Sequence, residues 1–567
     1  WDVGGQYNDG QYDNVGHNYI NLFNLADALG PSFRDAGGNL RCGTPGNELR
    51  NCVPFNAFGG PDLGLAQGTI TQAEYDAMIN YVSYTQVSSS GNSTSNFYAD
   101  LSGDMFNLPG GMAAFAVGLE YRKDTAFSQP DALVSGGGSS DNFSEPTNGW
   151  TSVNEAYLEV YLPILEGVTG AQELTVQAAI RYSDYSGNGT VGFTTIPAEI
   201  GDATTPSIGL TWRPIESLLL RGNWGETFRA PSVSDLYGGG GESFPNANDP
   251  CAIGGWDNQA ASTQAACIAD GVPAGGAEQP TSQLRTLVGG NPFLIPEQGE
   301  NITLGFVWTP EFAENLEVIV DYWNIELEDA QSTFGAQYIL NQCYIDGVQG
   351  FCNFVARQPD GKVEVVRTAA FNAAERRVAG VDWSVRYLWD TNSVGTFAFS
   401  WDNTWTDYDE TRVGADDDWN DMIGIYQGST NWEYRSNFTT QWLMGNFQTT
   451  WTLRYMSKLE EDCWIHYYGI GDIDPNSDTY DPIMCSDPTK TNIYDDTGVN
   501  YLGDRVYNDL QVAWTTPWEG GLITVGGRNI FGKEPPKTQN SFAHSFDGAY
   551  DLPGGAFWYA SYRHHFQ

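Results

Sequence analysis

From Gly395 to Asp407 the chain alternates between two kinds of side chain. Phe397, Phe399, Trp401 and Trp405 fall on one side; Thr396, Ala398, Ser400, Asp402, Thr404 and Thr406 fall on the other. Successive side chains of a strand point to opposite faces, so the pattern predicts a strand with one oily and one wet face. Similar alternation recurs at Ala113–Lys123, Asn154–Ile164, Gln172–Ser183, Leu218–Thr227 and Phe447–Tyr455. Further strands are expected at Thr205–Arg213, Asn301–Thr309, Leu316–Leu327, Val378–Trp389, Asn431–Trp442, Tyr507–Thr515, Leu522–Asn529 and Ala556–Gln567. A soluble β-sandwich also has apolar inner faces. It accounts less well for so many strands with charged wet faces. The pattern predicts an all-β fold, a transmembrane antiparallel β-barrel with a polar interior.

The intervals between strands are unequal. Short proline-containing junctions at Trp212–Pro214 and Trp308–Pro310 suit one rim, and the long intervals Gly238–Leu287, Tyr338–Val355, Asp409–Tyr426 and Glu460–Tyr501 suit the other. Outer-membrane barrels carry short periplasmic turns and long external loops. The first region, Trp1–Phe106, is the least regular, and strands separated by an elaborated loop are expected there, the first beginning near Trp1. Helices are expected there at Asn21–Leu29 and, after the N-cap candidate Thr71, at Gln72–Val82.

Composition narrows the classes. The 567 residues include 66 glycines, 14% aromatics and 26 Lys+Arg, in keeping with spanning strands, aromatic girdles and turn-rich loops. No long charge-free run suits a transmembrane helix. A formal net charge of −45 argues against a nonspecific nucleic-acid binder, which must attract phosphate. The cysteines come as neighbouring pairs, Cys42/Cys52, Cys251/Cys267, Cys343/Cys352 and Cys463/Cys485, each in polar, turn-rich sequence. That favours four short disulfides in cell-surface loops over unpaired or differently paired cysteines. A zinc site lacks its clustered Cys/His pattern.

Enzyme chemistry finds little support: there is no metalloprotease motif among the five histidines, no GxSxG elbow and no P-loop. Recognition candidates are loop aromatics with acidic neighbours: Phe244, Trp256 with Asp257, Trp419, Trp464, Tyr467 and Tyr468. Rings against sugar C–H groups, with acidic acceptors for hydroxyls, suit a neutral oligosaccharide. The acidic balance suits naked anionic iron chelates less well. Siderophore, haem, cobalamin or peptide remain alternatives, as does a surface adhesion or attachment barrel. No cofactor is required. One loop, with Asp472, Asp474, Asn476 and Asp478, offers alternating oxygen ligands for a structural calcium, but lacks the glycine and terminal glutamate of an EF-hand.

At Trp212–Tyr237 the string WRPIESLLLRGNWGETFRAPSVSDLY resembles TonB-dependent outer-membrane receptors, including their FRAP-like motif at Phe228, Arg229, Ala230 and Pro231. NPFLIPEQGENITLGFVW, with Asn291, Pro292, Pro296 and Glu297, resembles the following NP-x-L-x-PE segment. FNAAERRVAGVDW at Phe371–Trp383, GGRNIFGKEPP at Gly526–Pro536 and the closing Tyr550–Phe566 fit later family strands in order. Cys52–Gly60, Ser102–Leu108, Met112–Arg122 and Gly149–Pro163 resemble a proteobacterial branch. The resemblance implies an integral outer-membrane protein whose parent has 22 strands around an N-terminal plug. It implies active uptake powered by the TonB–ExbB–ExbD complex, with lipid and lipopolysaccharide around the wall and a surface lipoprotein as an optional partner. Neither plug nor TonB box is recognised, so residues 1–567 are expected to be the C-terminal barrel portion, the preceding domain having been cut away or not included. Glu120, Arg122, Glu155, Glu159, Arg181 and Arg221 are the candidate lumen or plug-contact residues. Arg229 and Glu297, near strand ends, are expected to support turns and barrel geometry.

Overall fold

The alternating segments fold as the staves of one antiparallel meander. A computed structural model gives the structure and describes every residue except 59, 193, 414–417, 464–485, 492–496, 519, 539, 542–544 and 567. In chain order the wall strands are β1 (Asp2–Ile20), β2 (Ser83–Leu108), β3 (Gly111–Gln129), β4 (Thr147–Val168), β5 (Ala171–Val191), β6 (Thr194–Ile215), β7 (Leu218–Arg229) and β8 (Glu297–Trp308). They continue as β9 (Leu316–Thr333), β10 (Val363–Asp390), β11 (Thr396–Val413), β12 (Tyr434–Met444), β13 (Phe447–Met456), β14 (Arg505–Thr515), β15 (Gly521–Arg528) and β16 (Phe557–His564). Each pairs antiparallel with the next, from β1–β2 through to β15–β16. Among the described residues, β1 and β16 share no ladder with each other.

The outer face carries the expected oily band. Leu101, Leu119, Leu158, Ile180, Ile208, Leu304, Trp401 and Trp451 are exposed there. No described helix is long and apolar enough to cross a membrane. The spanning elements are strands, whose backbone groups are satisfied by their neighbours.

At the short-turn rim aromatic rings collect. Trp212 Nε1 donates to the Gly170 carbonyl at 2.9 Å and Trp442 Nε1 to that of Val394 at 2.6 Å. Trp389 meets Phe397 at 5.7 Å, Phe397 meets Trp442 at 6.2 Å, and Phe447 meets Trp514 at 6.3 Å. Rings that are apolar in body and polar at one edge belong at such an interface.

Two long strands occupy the least regular region. β2 runs 26 residues and β1 runs 19, in the region where the sequence predicts strands separated by an elaborated loop. A tilted spanning strand needs about 9–11 residues, so most of β2 lies beyond the band. There Ser88–Asn96 is polar on both faces, and no two-residue period can emerge. β11 likewise continues to Val413, so the loop expected from Asp409 starts later.

Both expected helices form. Leu22–Leu29 is capped by the Asn21 side chain, and Gln72–Val82 begins with a reciprocal Thr71–Glu74 capping box. Cys42–Cys52, Cys251–Cys267 and Cys343–Cys352 are disulfides. Cys463 is also disulfide-bonded, while Cys485 lies outside the described residues.

Candidate functional site

The inward residues of β3, β4 and β5 meet in one ionic cluster. Glu155 is nearly enclosed, with 4% of its side chain exposed, and accepts from Arg181 Nη2 at 2.5 Å and Ser183 Oγ at 2.5 Å. Arg181 Nη2 also reaches Glu120 at 3.0 Å. The structure thus brings Glu120, Glu155 and Arg181 together. Arg122 pairs instead with Asp124 at 3.1 Å. Arg221 on β7 forms a two-pronged pair with Asp321 on β9, at 2.8 and 2.6 Å, reaching across β8. The residue between them in register is Gly305, and a Cβ there would run into the Asp321 carboxylate. Glu159 lines a separate lumenal recess of about 450 Å³ with Gln177, Ser207, Gly209 and Asn223. Further round the wall, Arg454 is held between Asp509 at 2.9 Å and Asp551 at 2.6 Å. A side chain so paired stiffens a wet wall and leaves little free charge for a ligand.

The two quoted motifs beside the long loop 230–296 are its two stems, and they are joined. The Arg229 guanidinium ion-pairs with Glu297 and donates to Gln331 Oε1 at 3.1 Å. The other Glu297 oxygen accepts the Gln331 N–H at 2.6 Å. Just past Pro231, Ser232 and Asp235 form a capping box that starts the short helix Val233–Tyr237. The Asp235 carbonyl then accepts the Asn291 N–H at 2.8 Å, and Asn291 Nδ2 donates to Ala370 O at 2.9 Å. Pro292, Leu294 and Pro296 turn inward and are buried, while Phe293 and Ile295 point out. Phe228 packs edge-on against Tyr185 at 5.8 Å.

Tyr237, fully buried, ends this arrangement. Its ring lies across Gly149 of β4 and Gly189 of β5, where any side chain would intersect it. Ala198, Ile200, Val233, Leu236 and Leu294 complete its surroundings. The start of the loop is thereby pressed onto the wall. Tyr237 ends the quoted receptor-like string, but nothing in the sequence links it to glycines so far upstream.

Above the rim, the loops after β7 and β9 share a small core. Cys251, Trp256, Cys267, Val272, Leu284, Ile339, Leu340, Cys343 and Tyr344 are buried together, with two disulfides inside the cluster. At its centre is an ion pair no sequence pattern announced. Arg357 and Asp249, each with 4% of the side chain exposed, pair through two parallel bonds of 2.7 and 2.8 Å. Arg357 Nε donates to Tyr344 Oη at 2.9 Å, and Tyr344 donates onward to Asp270 at 2.5 Å. Burial disfavours the Arg357 charge, but the hydrogen bonds and charge of Asp249 outweigh it and raise the pKa above the ordinary value. Burial raises the Tyr344 pKa, and the bond to Asp270 adds to the rise.

The recognition candidates are scattered. Trp256 is buried in the loop core, whereas Phe244 and Asp257 are exposed. Trp419 is stacked between the guanidinium groups of Arg377 and Arg412, at 4.2 and 4.7 Å from its ring centre. Trp464, Tyr467, Tyr468 and the calcium candidates Asp472, Asp474, Asn476 and Asp478 lie outside the described residues.

A family model described as TonB dependent receptor-like, beta-barrel, matches residues 1–530. Among solved structures, the chain is similar to a ferric enterobactin receptor variant of Pseudomonas aeruginosa in complex with enterobactin, with a TM-score of 0.49, 13% identity and coverage of 86% of this chain and 55% of that one. It is similar to a hemophore receptor variant of Serratia marcescens in complex with its hemophore and heme (TM-score 0.44, 14% identity, 79% and 57% covered). A third is the siderophore receptor PirA of Acinetobacter baumannii (TM-score 0.39, 11% identity, 85% and 68% covered). The chain spans little more than half the length of the first two. No curated protein matches it.

Proposed function

The chain belongs to the TonB-dependent receptor family, and from that premise we propose that it forms the outer-membrane wall of an importer energised through TonB. This is a family of transport receptors of the bacterial outer membrane, not of enzymes. We read residues 1–567 as the barrel portion of a longer receptor in which a plug fills the lumen and further strands complete a 22-strand cylinder. The unshared edges of β1 and β16 support this, because backbone groups within hydrocarbon need hydrogen-bond partners. The energy partner in this reading is the TonB–ExbB–ExbD complex, acting through the plug.

For the cargo we propose a neutral oligosaccharide rather than an anionic ferric chelate. The observation that carries the choice is the state of the lumenal arginines. Arg181, Arg221 and Arg454 are each neutralised by carboxylates of the chain. An anionic ligand would have to break those pairs, whereas hydroxyl groups accept and donate beside them without separating charge. Exposed Phe244 and Asp257 offer the stacking face and acceptor above the rim. Calorimetry on the full-length receptor tests the choice, with neutral oligosaccharides against ferric catecholates, ferric citrate and haem. Saturable glycan binding that weakens at least about fivefold in Phe244→Ala supports it. Tight binding of an iron ligand with no glycan response overturns it.

A further inference from the structure

Toward the long-loop rim, the inner faces of β3, β4 and β5 set side chains in two adjoining rows. Arg122, Val153 and Tyr185 stand in one, and Asp124, Thr151 and Gly187 in the next. Beside Tyr185 the wall divides. β6 shifts register just past the Tyr185–Gly201 pair, where Gly201 takes a left-handed φ of 91°. Among the described residues, the ladder between β6 and β7 ends at Ser207–Gly225. Past that pair β7 runs on without β6, and its Phe228 meets the Tyr185 ring edge-on at 5.8 Å. The divergence leaves a recess of about 420 Å³, with Arg122, Asp124, Thr151, Tyr185, Phe228 and Arg229 in its lining. Small-molecule sites occupy roughly 300–1,000 Å³.

The lining combines apolar faces with charges that are already balanced. Val153, 1% exposed, lies between Arg122 and Tyr185. Arg122 Nε donates to one Asp124 oxygen at 3.1 Å, and Thr94 Oγ1 donates to the other at 2.7 Å. The Arg122 and Asp124 side chains stay 36% and 40% exposed, so terminal N–H groups and carboxylate lone pairs remain open to a ligand. Arg229 is committed to Glu297 and Gln331. Both cations of the lining thus have a carboxylate of the chain, and an anion would have to compete with it. A hydroxyl accepts from Arg122 or donates to Asp124 without separating the pair. The half-buried rings of Tyr185 and Phe228 offer a surface to the C–H face of a sugar.

We propose that this recess binds one pyranose ring of a neutral oligosaccharide, its C–H groups against Tyr185 and Phe228 and its hydroxyls bridging Arg122 and Asp124. The assignment rests on the cargo reading above and adds to it a subsite on the wall itself, distinct from the loop residue Phe244.

Calorimetry and hydroxyl-radical footprinting of the full-length receptor test the subsite, with maltohexaose, cellohexaose and xylohexaose as probes. Tyr185→Ala is expected to weaken the bound glycan about fivefold, and Tyr185→Phe, which keeps the ring, less than about twofold. In wild-type receptor, saturating glycan should lower the labelling of Tyr185 and Phe228 at least about threefold, because a pocket covers most of its ligand and the ligand covers the pocket. Glycan bound equally by wild type and Tyr185→Ala, with labelling of both rings unchanged, would overturn the subsite and leave the cargo reading standing. Rings already shielded in the glycan-free receptor would also overturn the subsite alone, since another part of the receptor would then fill the recess. Binding of none of the three glycans would overturn both. The footprint uses wild-type protein, so it decides even if a variant folds poorly.

Discussion

Replacing Asp249 by alanine strands the Arg357 guanidinium inside the loop core. In the native cap that group makes four hydrogen bonds: two to Asp249, one to Tyr344 Oη and one to the Gly361 carbonyl at 2.8 Å. Both charged side chains are 4% exposed, so water does not replace the lost carboxylate. Removing one partner of a buried pair costs about 3–5 kcal/mol, mostly the burial of an uncompensated charge. Asp249→Ala also removes the acceptor for the Cys251 N–H, at 3.0 Å, which pushes toward the upper end. The disulfides remain and hold the loops together, so the barrel keeps its strands while the cap opens. Hydrogen exchange read by mass spectrometry is the assay. Amides of Ala261–Ala269 and Ala336–Tyr344 should lose protection by roughly 10²- to 10⁴-fold, while β3–β5 change little. The double variant Asp249→Ala/Arg357→Met should recover most of the protection, because an apolar pair of similar volume often replaces a buried ion pair at little cost. A loss under about 1 kcal/mol in the single variant would refute the reasoning, as it would mean that water reaches Arg357.

Three further outcomes follow. Leu119→Arg, on the lipid face, should destabilise the folded barrel by about 2–4 kcal/mol in bilayer refolding titrations, whereas Gln177→Arg in the lumenal recess should stay within about 1 kcal/mol; equal effects would mean the faces are misassigned. Gly189→Ala should cost about 1–3 kcal/mol in local exchange of the Val233–Tyr237 helix through collision with Tyr237. In a Tyr237→Ala background that penalty should vanish, and its persistence would locate the strain elsewhere. Asp35 is held down to about 2 by the Asn39 backbone N–H first and then by the Arg41 side chain, in the hairpin near Cys42. A depressed folded value means its contribution is present above the ordinary carboxylate range and lost as pH falls through about 2; carboxyl NMR showing an ordinary titration would contradict the hydrogen-bond geometry.

The outer face of the hydrocarbon band was legible residue by residue, because lipid and water impose opposite demands on alternate side chains. Phe397, Phe399, Trp401 and Trp405 could be read as a strand without any partner. So could the Thr71 helix start and the short loop cysteine pairs, since a cap and a short-range disulfide are local events. The receptor motifs were legible as strings but not as structures. Arg229 and Glu297 are far apart in the chain, and only register brings them to one ion pair. Asn529, within the quoted Gly526–Pro536, holds a left-handed turn (φ 49°) by accepting the Lys533 N–H.

Beyond the membrane the code fades. The stretch of β2 from Ser88 to Asn96 is polar on both faces, so its place in the ladder is decided by pairing with β1 and β3 and not by pattern. The same holds for Tyr237 on its glycine seat, for Trp419 between two arginines, and for Arg357 against Asp249. What the sequence determined by itself was whatever a residue's own solvent dictates. What only the tertiary structure decided was which distant side chains neutralise one another, because electrostatic pairing and ring packing depend on separations in space that chain spacing does not encode.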